Sequence, residues 1–175
     1  MKLLVLGGSG LIGKSLIKLN NEKYDIIATY NKNQINMPKT LSVKCSLPTD
    51  FNKLENTIIT EKPNVIVNTM GYSNIDFCEI NKKDAHQLHV KITEKIAKLA
   101  TTYNIKTIFL SSDYVFDGKK GNYVESDIPN PINYYGKTKL EAEKIILKQP
   151  QNLVFRTSVI YDWDFRVRFF KYVID

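Results

Sequence analysis

Tyr135-Gly136-Lys137-Thr138-Lys139 places a phenol and an ammonium four residues apart, a Y-x-x-x-K pattern that a helix would bring onto one face. An ammonium beside a phenol favours the phenolate and lowers a tyrosine pKa from its usual value of about 10. Such a tyrosine can hand a proton to a carbonyl oxygen as hydride reaches the carbon, or run the reverse reaction. Ser111 and Ser112 end the preceding apolar run and could supply a hydroxyl that polarises the same carbonyl. Taken alone the pattern is weak, because 10 tyrosines among so many lysines produce about one such pair by chance. The bland reading is a surface Tyr/Lys pair with two loop serines.

A second motif changes that balance. Gly7-Gly8-Ser9-Gly10-Leu11-Ile12-Gly13 follows an apolar run and opens a helical pattern, with glycines at 7, 10 and 13. Glycines are needed where the turn is tight, where backbone approaches a pyrophosphate and where helix packs closely on strand. The amides of the helix N-terminus, here around Leu11 and Ile12, then hold the phosphate charge. The same stretch also satisfies G-x-x-x-x-G-K-[ST] through Gly8, Gly13, Lys14 and Ser15. In a P-loop nucleotide-binding protein Lys14 would reach the β/γ-phosphates and Ser15 would ligate magnesium. That chemistry also wants an Asp at the end of another apolar strand; Val65-Ile66-Val67-Asn68 lacks one, and Asp113 comes late.

These residues need elements to position them. Leu3–Leu6 reads as a strand buried on both faces, and Leu11–Leu19 as a helix with Ile12, Leu16 and Leu19 inward. Strands are predicted at Tyr24–Tyr30, Leu41–Cys45, Val65–Val67, Thr107–Leu110 and Leu153–Phe155. Helices are predicted at Asp50–Thr60, with Asp50 as N-cap and Leu54, Ile58 and Ile59 inward, at Lys83–Tyr103, and at Tyr134–Leu147. A closing helix is expected over Phe165–Ile174. Ser111 to Asn133, rich in Gly, Pro, Asp and Asn, reads as a long functional loop. Strands separated by helices imply βαβ units, hence an α/β Rossmann fold: a doubly wound parallel sheet with helices on both faces. Ligands bind beyond the carboxyl ends of such strands, where the segments after Leu6, Leu110 and Phe155 all lie.

Composition narrows the class. With 43% hydrophobic and 25% charged residues the chain is ordinary globular protein, neither disordered nor collagen-like. Its longest apolar runs are too short for a membrane span, and only four apolar residues precede Gly7, too few for a signal peptide. A cytoplasmic protein with no membrane partner is therefore expected. Cys45 and Cys78 lack metal-ligand or redox spacing and read as reduced, buried thiols; His86 and His89 have no ligand set around them, so no metal is expected. The net charge of +7 comes from scattered lysines, which suits a solvated surface drawing phosphorylated ligands rather than nucleic acid.

Four blocks, in order along the chain, resemble the extended short-chain dehydrogenase/reductases. They are Gly7–Gly13, Asn68–Asp76, Ser111–Gly118 and Tyr135–Glu143. Within that family S-S-D-Y-V-F-D-G and Y-G-K-T-K-L-E-A-E are similar to the dTDP-4-dehydrorhamnose reductases, and Glu125, Asp127 and Pro131 fall where these have an E-x-D-x-x-x-P loop. The resemblance makes the P-loop match an accidental overlap. It implies NAD(P)H-dependent reduction of a 4-keto group on a nucleotide-linked deoxysugar. By position Ser112 resembles the catalytic Ser/Thr, Tyr135 the acid/base, and Lys139 the residue that lowers the tyrosine pKa and holds the nicotinamide ribose. Gly7, Gly10, Leu11, Ile12 and Gly13 match the dinucleotide loop, and backbone near Met70, Gly71 and Tyr72 would line the nicotinamide side. Tyr72 reads equally well as a packing aromatic.

The second strand ends Tyr30-Asn31-Lys32 without the acid that holds adenosine ribose hydroxyls in many NAD enzymes. Asn31 and Lys32 could accommodate a 2′-phosphate, which favours NADP(H) over NAD(H). Cys45-Ser46 stands where the family usually has an acidic residue near the adenine, and His89 where relatives usually carry an Asn linked to proton relay. The histidine reads either as a relay or as a harmless surface or packing replacement. Residues 1–160 are expected to form the NAD(P)-binding domain and 161–175 to begin a truncated substrate region. An apolar face left by a missing substrate domain makes a homodimer the candidate oligomer. The alternative function is a non-catalytic NADP-binding regulatory module, because the regulatory subunit of methionine adenosyltransferase is similar in sequence to these reductases.

Overall fold

The computed structural model describes residues 1–20 and 23–160. The expected closing helix over 165–174 lies outside the described residues. Six strands form one parallel sheet: β1 (Lys2–Leu6), β2 (Asp25–Tyr30), β3 (Thr40–Lys44), β4 (Val65–Asn68), β5 (Lys106–Ser112) and β6 (Leu153–Thr157). Their order is β3-β2-β1-β4-β5-β6, so the direction of winding reverses at β1. That reversal opens a crevice beyond the carboxyl ends of β1 and β4. Register is set there by Leu4 lying between Ile27 on one side and Ile66 on the other.

The alternation within β1 divides the core in two. Leu4 and Leu6 pack with Ile27, Leu54, Ile58, Ile66, Ile92 and Ile96 on one face, while Leu3 and Val5 pack with Ile17, Ile26 and Ala28 on the other. The second face is covered by α1 (Leu11–Leu19), and the first by α2 (Phe51–Glu61) and α5 (Ile92–Thr102). A third cluster, Phe109 with Ala142 and Ile146, seats α6 (Tyr134–Ile146) on β5. Truncating a fully buried side chain such as Leu4 should cost about 2–5 kcal/mol.

Local details depart from the sequence expectations in instructive ways. In α1 the buried positions are Gly13 and Ile17; Leu19 is exposed, and Ile12 and Leu16 are only half-buried. A Cβ on Gly13 would lie 2.5 Å from the Gly7 carbonyl oxygen, so the helix is drawn down at its first turn and its contact line shifts to 13 and 17. Asp50 stands at the start of α2, yet its carboxylate accepts the Ser46 amide at 2.8 Å instead of capping the helix. Ile59 is exposed, since Leu54 and Ile58 alone face the sheet.

The predicted Lys83–Tyr103 helix is broken into α4 (Lys82–His86), a π-helical turn (Gln87–Lys91) and α5. A short α3 (Ile75–Ile80), absent from the sequence reading, precedes it; Asn74 caps it by accepting the Phe77 amide at 2.8 Å. Both cysteines are free and buried, as expected. Among the described residues, no helix is long and apolar enough to cross a membrane.

Candidate active site

Beyond the ends of β1, β4 and β5 lies a cleft of about 570 Å³. Its walls bring together three groups that are distant in sequence: Gly10, Leu11 and Ile12; Met70 and Gly71; and Ser112, Tyr135 and Lys139. Of the remaining expected site residues, Gly7 in the turn before α1 and Gly13 in the first turn of α1 pack against each other behind the wall. Asn31 and Lys32 are exposed beyond β2, outside the cleft, and Tyr72 turns away from it. Tyr72 is exposed and its ring meets that of Phe77, with centroids 4.7 Å apart.

Gly7 has a φ of 80°, a left-handed conformation that a side chain would strain, and this turns the chain from β1 into α1. The N-cap of α1 is Gly10, with no side-chain cap and no acid in the first turn. The first-turn amides are thus left to an outside acceptor, and the helix dipole favours an anionic one. A pyrophosphate fits this cradle: the backbone can be approached closely, and nothing negative competes.

The side of the cleft that carries Ser112, Tyr135 and Lys139 is fixed by β5 meeting α6. Ser112 ends β5, buried; its hydroxyl donates to Asp113 at 3.0 Å and accepts the Tyr114 amide at 3.3 Å, starting a 3-10 turn over Asp113–Val115. That turn and the first turn of α6 are in close contact, because a Cβ on Gly136 would overlap the Tyr114 carbonyl. The start of α6 is held by Asn133, which accepts the Gly136 amide at 2.8 Å, and by Glu79, which accepts the Tyr134 amide. Tyr135 is then gripped edge-on between His89 and Tyr114, with ring centroids 5.6 and 5.9 Å away.

Lys139, one turn on, is buried; its ammonium donates to the Leu110 carbonyl and lies 4.2 Å from the centre of the Phe109 ring. Burial pushes its pKa down to about 7, opposed by the Glu143 carboxylate. Glu143 is in turn gripped by Arg156 through two bonds of 3.0 and 2.7 Å. For Tyr135 the sequence expectation of a lowered pKa is reversed. Burial of the phenol raises it, and the Ser112 hydroxyl only partly counters this. The ammonium gives one of its three donors to the Leu110 carbonyl and is not among the groups that set the phenol's pKa.

His89 is buried, so it is no surface replacement. Its Nε2 accepts the Tyr72 amide at 2.9 Å, and Nδ1 lies 2.8 Å from the Thr138 hydroxyl. Burial, and then the Lys139 charge, lower its pKa to about 3. Beyond the end of β2 the Ser46 hydroxyl donates to the Asn31 side-chain oxygen at 2.7 Å. The Ser46 contact, the Glu79 and Asn133 caps and the Arg156–Glu143 grip were not found from sequence. Asn133 one residue before the Tyr134 helix was the one available signal, as an N-cap type at a helix start.

A family model described as RmlD substrate binding domain matches residues 1–173. Among curated proteins, the chain is similar to a dTDP-4-dehydrorhamnose reductase of Aggregatibacter actinomycetemcomitans, 33% identical over 90% of this chain and 51% of that protein. It is also similar to the methionine adenosyltransferase 2 subunit beta of Bos taurus, 35% identical over 91% of this chain and 47% of that protein. A solved dTDP-4-dehydrorhamnose reductase from Bacillus anthracis, in complex with NADP, superposes with a TM-score of 0.77 at 25% identity, covering 91% of this chain and 54% of that one. The chain thus spans about half the length of the curated relatives it matches.

Proposed function

This chain belongs to the RmlD substrate binding domain family, and from that premise we propose that it carries the cofactor and acid/base half of an NADP(H)-dependent reductase for a 4-keto nucleotide-sugar. The observation that carries the reading is the convergence of Ser112, Tyr135 and Lys139 with the Gly10–Ile12 turn and Met70–Gly71 on one cleft. Residues 1–160 form the cofactor-binding unit in this reading, and the substrate region expected from 161 lies outside the described residues.

The uncapped amides at Leu11 and Ile12 hold the cofactor's pyrophosphate, supported by the turn of Gly7, Gly10 and Gly13. Backbone at Met70 and Gly71 faces the nicotinamide side, and Asn31 and Lys32 take the adenosine 2′-phosphate in preference to a free hydroxyl. When bound, the cofactor supplies the hydride. The Ser112 hydroxyl turns its one hydrogen from Asp113 to the substrate carbonyl, and Tyr135 gives its phenolic proton to the same oxygen as charge develops there. A phenol whose pKa is raised by burial keeps that proton until the carbonyl demands it. Lys139 has three donors and gives one to Leu110, so two remain for the phenolate and a ribose hydroxyl.

Mixing the chain with a dTDP-4-keto-6-deoxysugar and NADPH and following the cofactor's absorbance tests this directly. Tyr135→Phe should slow turnover by on the order of 10²–10⁴; equal rates would remove Tyr135 from the role. NADPH should also raise the melting temperature, and Mg-ATP should not. A second reading, a regulatory module that binds NADPH without turnover, is favoured by the likeness to methionine adenosyltransferase 2 subunit beta. It is the outcome if NADPH stabilises the chain and no keto-sugar consumes it.

A further inference from the structure

We infer that His89 is a positioning residue, whose neutral ring with the proton on Nδ1 ties the Met70–Tyr72 turn to the helix carrying Tyr135 and Lys139. The inference rests on the reductase reading for its kinetic consequence, while the tie itself is a property of the folded chain.

The direction of each bond follows from donor chemistry. A backbone amide can only donate, so Nε2, 2.9 Å from the Tyr72 nitrogen, must be unprotonated. A neutral imidazole then carries its proton on Nδ1, which faces the Thr138 hydroxyl at 2.8 Å. That hydroxyl has one hydrogen and spends it on the Tyr135 carbonyl, also at 2.8 Å, leaving its oxygen to accept from the ring. The result is a one-way chain: Tyr72 amide to His89, His89 to Thr138, Thr138 to the backbone of Tyr135. It crosses from the loop after β4 to the first turns of α6, the two walls of the cleft that must stay in register for hydride and proton to reach one carbonyl.

Three further observations support a built device. His89 sits on the π-helical turn Gln87–Lys91, a local widening that is common at functional sites. The ring stands edge-on to Tyr135, 5.6 Å between centroids, so it packs against the phenol as well as bonding to its helix. Gly71 allows the approach, because a Cβ there would lie 3.3 Å from Nε2. Groups facing the ring are the Tyr72 amide and Gly71 from the loop, and Tyr135, Thr138 and the Lys139 ammonium from α6. Burial and that ammonium keep the ring neutral, which the Tyr72 bond requires. His86, the other histidine, pairs at 3.4 Å with Glu141 and is partly exposed, so it provides an internal reference.

The test uses the full 175-residue chain and two readouts. Nitrogen-15 ring spectra should show His89 in the Nδ1–H tautomer, and hydrogen exchange should show a protected Tyr72 amide. Thr138→Val should shift the tautomer balance and Thr138→Ser should restore it; His89→Gln should keep the Tyr72 amide protected through its side-chain oxygen, and His89→Leu should not. In turnover, Thr138→Val and His89→Leu should each lower kcat by about tenfold or more, with the NADPH KM within about twofold, since a misplacement near 1 Å can cost about 10²-fold. The double variant should be no worse than the more severe single one, because both break one chain. An Nε2–H tautomer, an unprotected Tyr72 amide, or an unchanged kcat in Thr138→Val overturns the inference. A wild-type chain that binds NADPH and reduces nothing counts against the reductase reading alone, and the tautomer and amide protection then still decide the tie. If His89→Leu fails to fold, Thr138→Val carries the test.

Discussion

The end of β5 and the end of β2 serve the same ligand in this account and are built on opposite principles. At β5, Ser112, Tyr135 and Lys139 are held by buried groups: the Leu110 carbonyl, the His89 and Tyr114 rings, and Glu143 clamped by Arg156. At β2, Asn31 and Lys32 stand in solvent, and one exposed bond from Ser46 orients the amide. Buried groups interact in a low dielectric and cannot be rearranged singly, whereas exposed charges are screened and worth little each. The geometry of Ser112, Tyr135 and Lys139 is thereby locked into the fold, and the β2 end is left to a few replaceable side chains.

Substitutions should sort along that divide. The largest effect on rate is expected for Tyr135→Phe, with NADPH affinity retained, as measured by cofactor oxidation and by thermal shift. Next comes stability. Arg156→Leu leaves the Glu143 carboxylate, 1% exposed, without its partner and should cost roughly 3 kcal/mol, the low end for a broken buried pair because Arg156 is itself partly exposed. Chemical denaturation reads this, and a loss below 1 kcal/mol would show the β5 end to be less tightly built than described.

A third effect is on pH. Lys139, with its pKa lowered to about 7, is charged below that value and neutral above it, so kcat/KM should fall as pH rises through 7, far earlier than an ordinary lysine would allow. His89 gives the opposite limb in stability. Its folded pKa near 3 lies below the unfolded value of 6.5, so the unfolded chain binds the extra proton between them. Stability should drop as pH falls from about 6.5 toward 3, by up to about 1.4 kcal/mol per unit from this group, and His89→Gln should flatten the drop. Smallest of all, Asn31→Asp should weaken NADPH relative to NADH only a few-fold, because an exposed charge contributes about 0.2–1 kcal/mol. A change of a hundredfold would place the β2 end among the tightly built parts.

The same divide governs how much could be read from the sequence. Continuous apolar runs at Leu3–Leu6 and Val65–Val67 and the glycine spacing from 7 to 13 are local patterns, and they foretold the parallel sheet and the tight glycine turn from β1 into α1. Tyr135 and Lys139 one helical turn apart were equally local. What sequence patterns could not show depends on partners far along the chain. Leu110 lies 29 residues from Lys139, and Thr138 lies 49 from His89. The sequence reading let the ammonium act on the phenol; packing against β5 directs it to a carbonyl and lets burial set both pKa values. The π-helical turn escaped notice because its apolar spacing passes for an ordinary helix. Leu19 misled for a related reason, since the close seat of Gly13 on Gly7, and not hydrophobicity alone, sets which face of α1 meets the sheet.

The central claim, that this cleft passes hydride from NADPH to a ketone on a nucleotide-linked sugar under the acid/base control of Tyr135, can be tested by isotope. With NADPH deuterated at the nicotinamide C4 position and a dTDP-4-keto-6-deoxysugar, deuterium should appear at the new carbinol carbon, and Tyr135→Phe should suppress its appearance. Cofactor that binds but leaves no label on the sugar, or label that accumulates equally in the variant, would contradict the account.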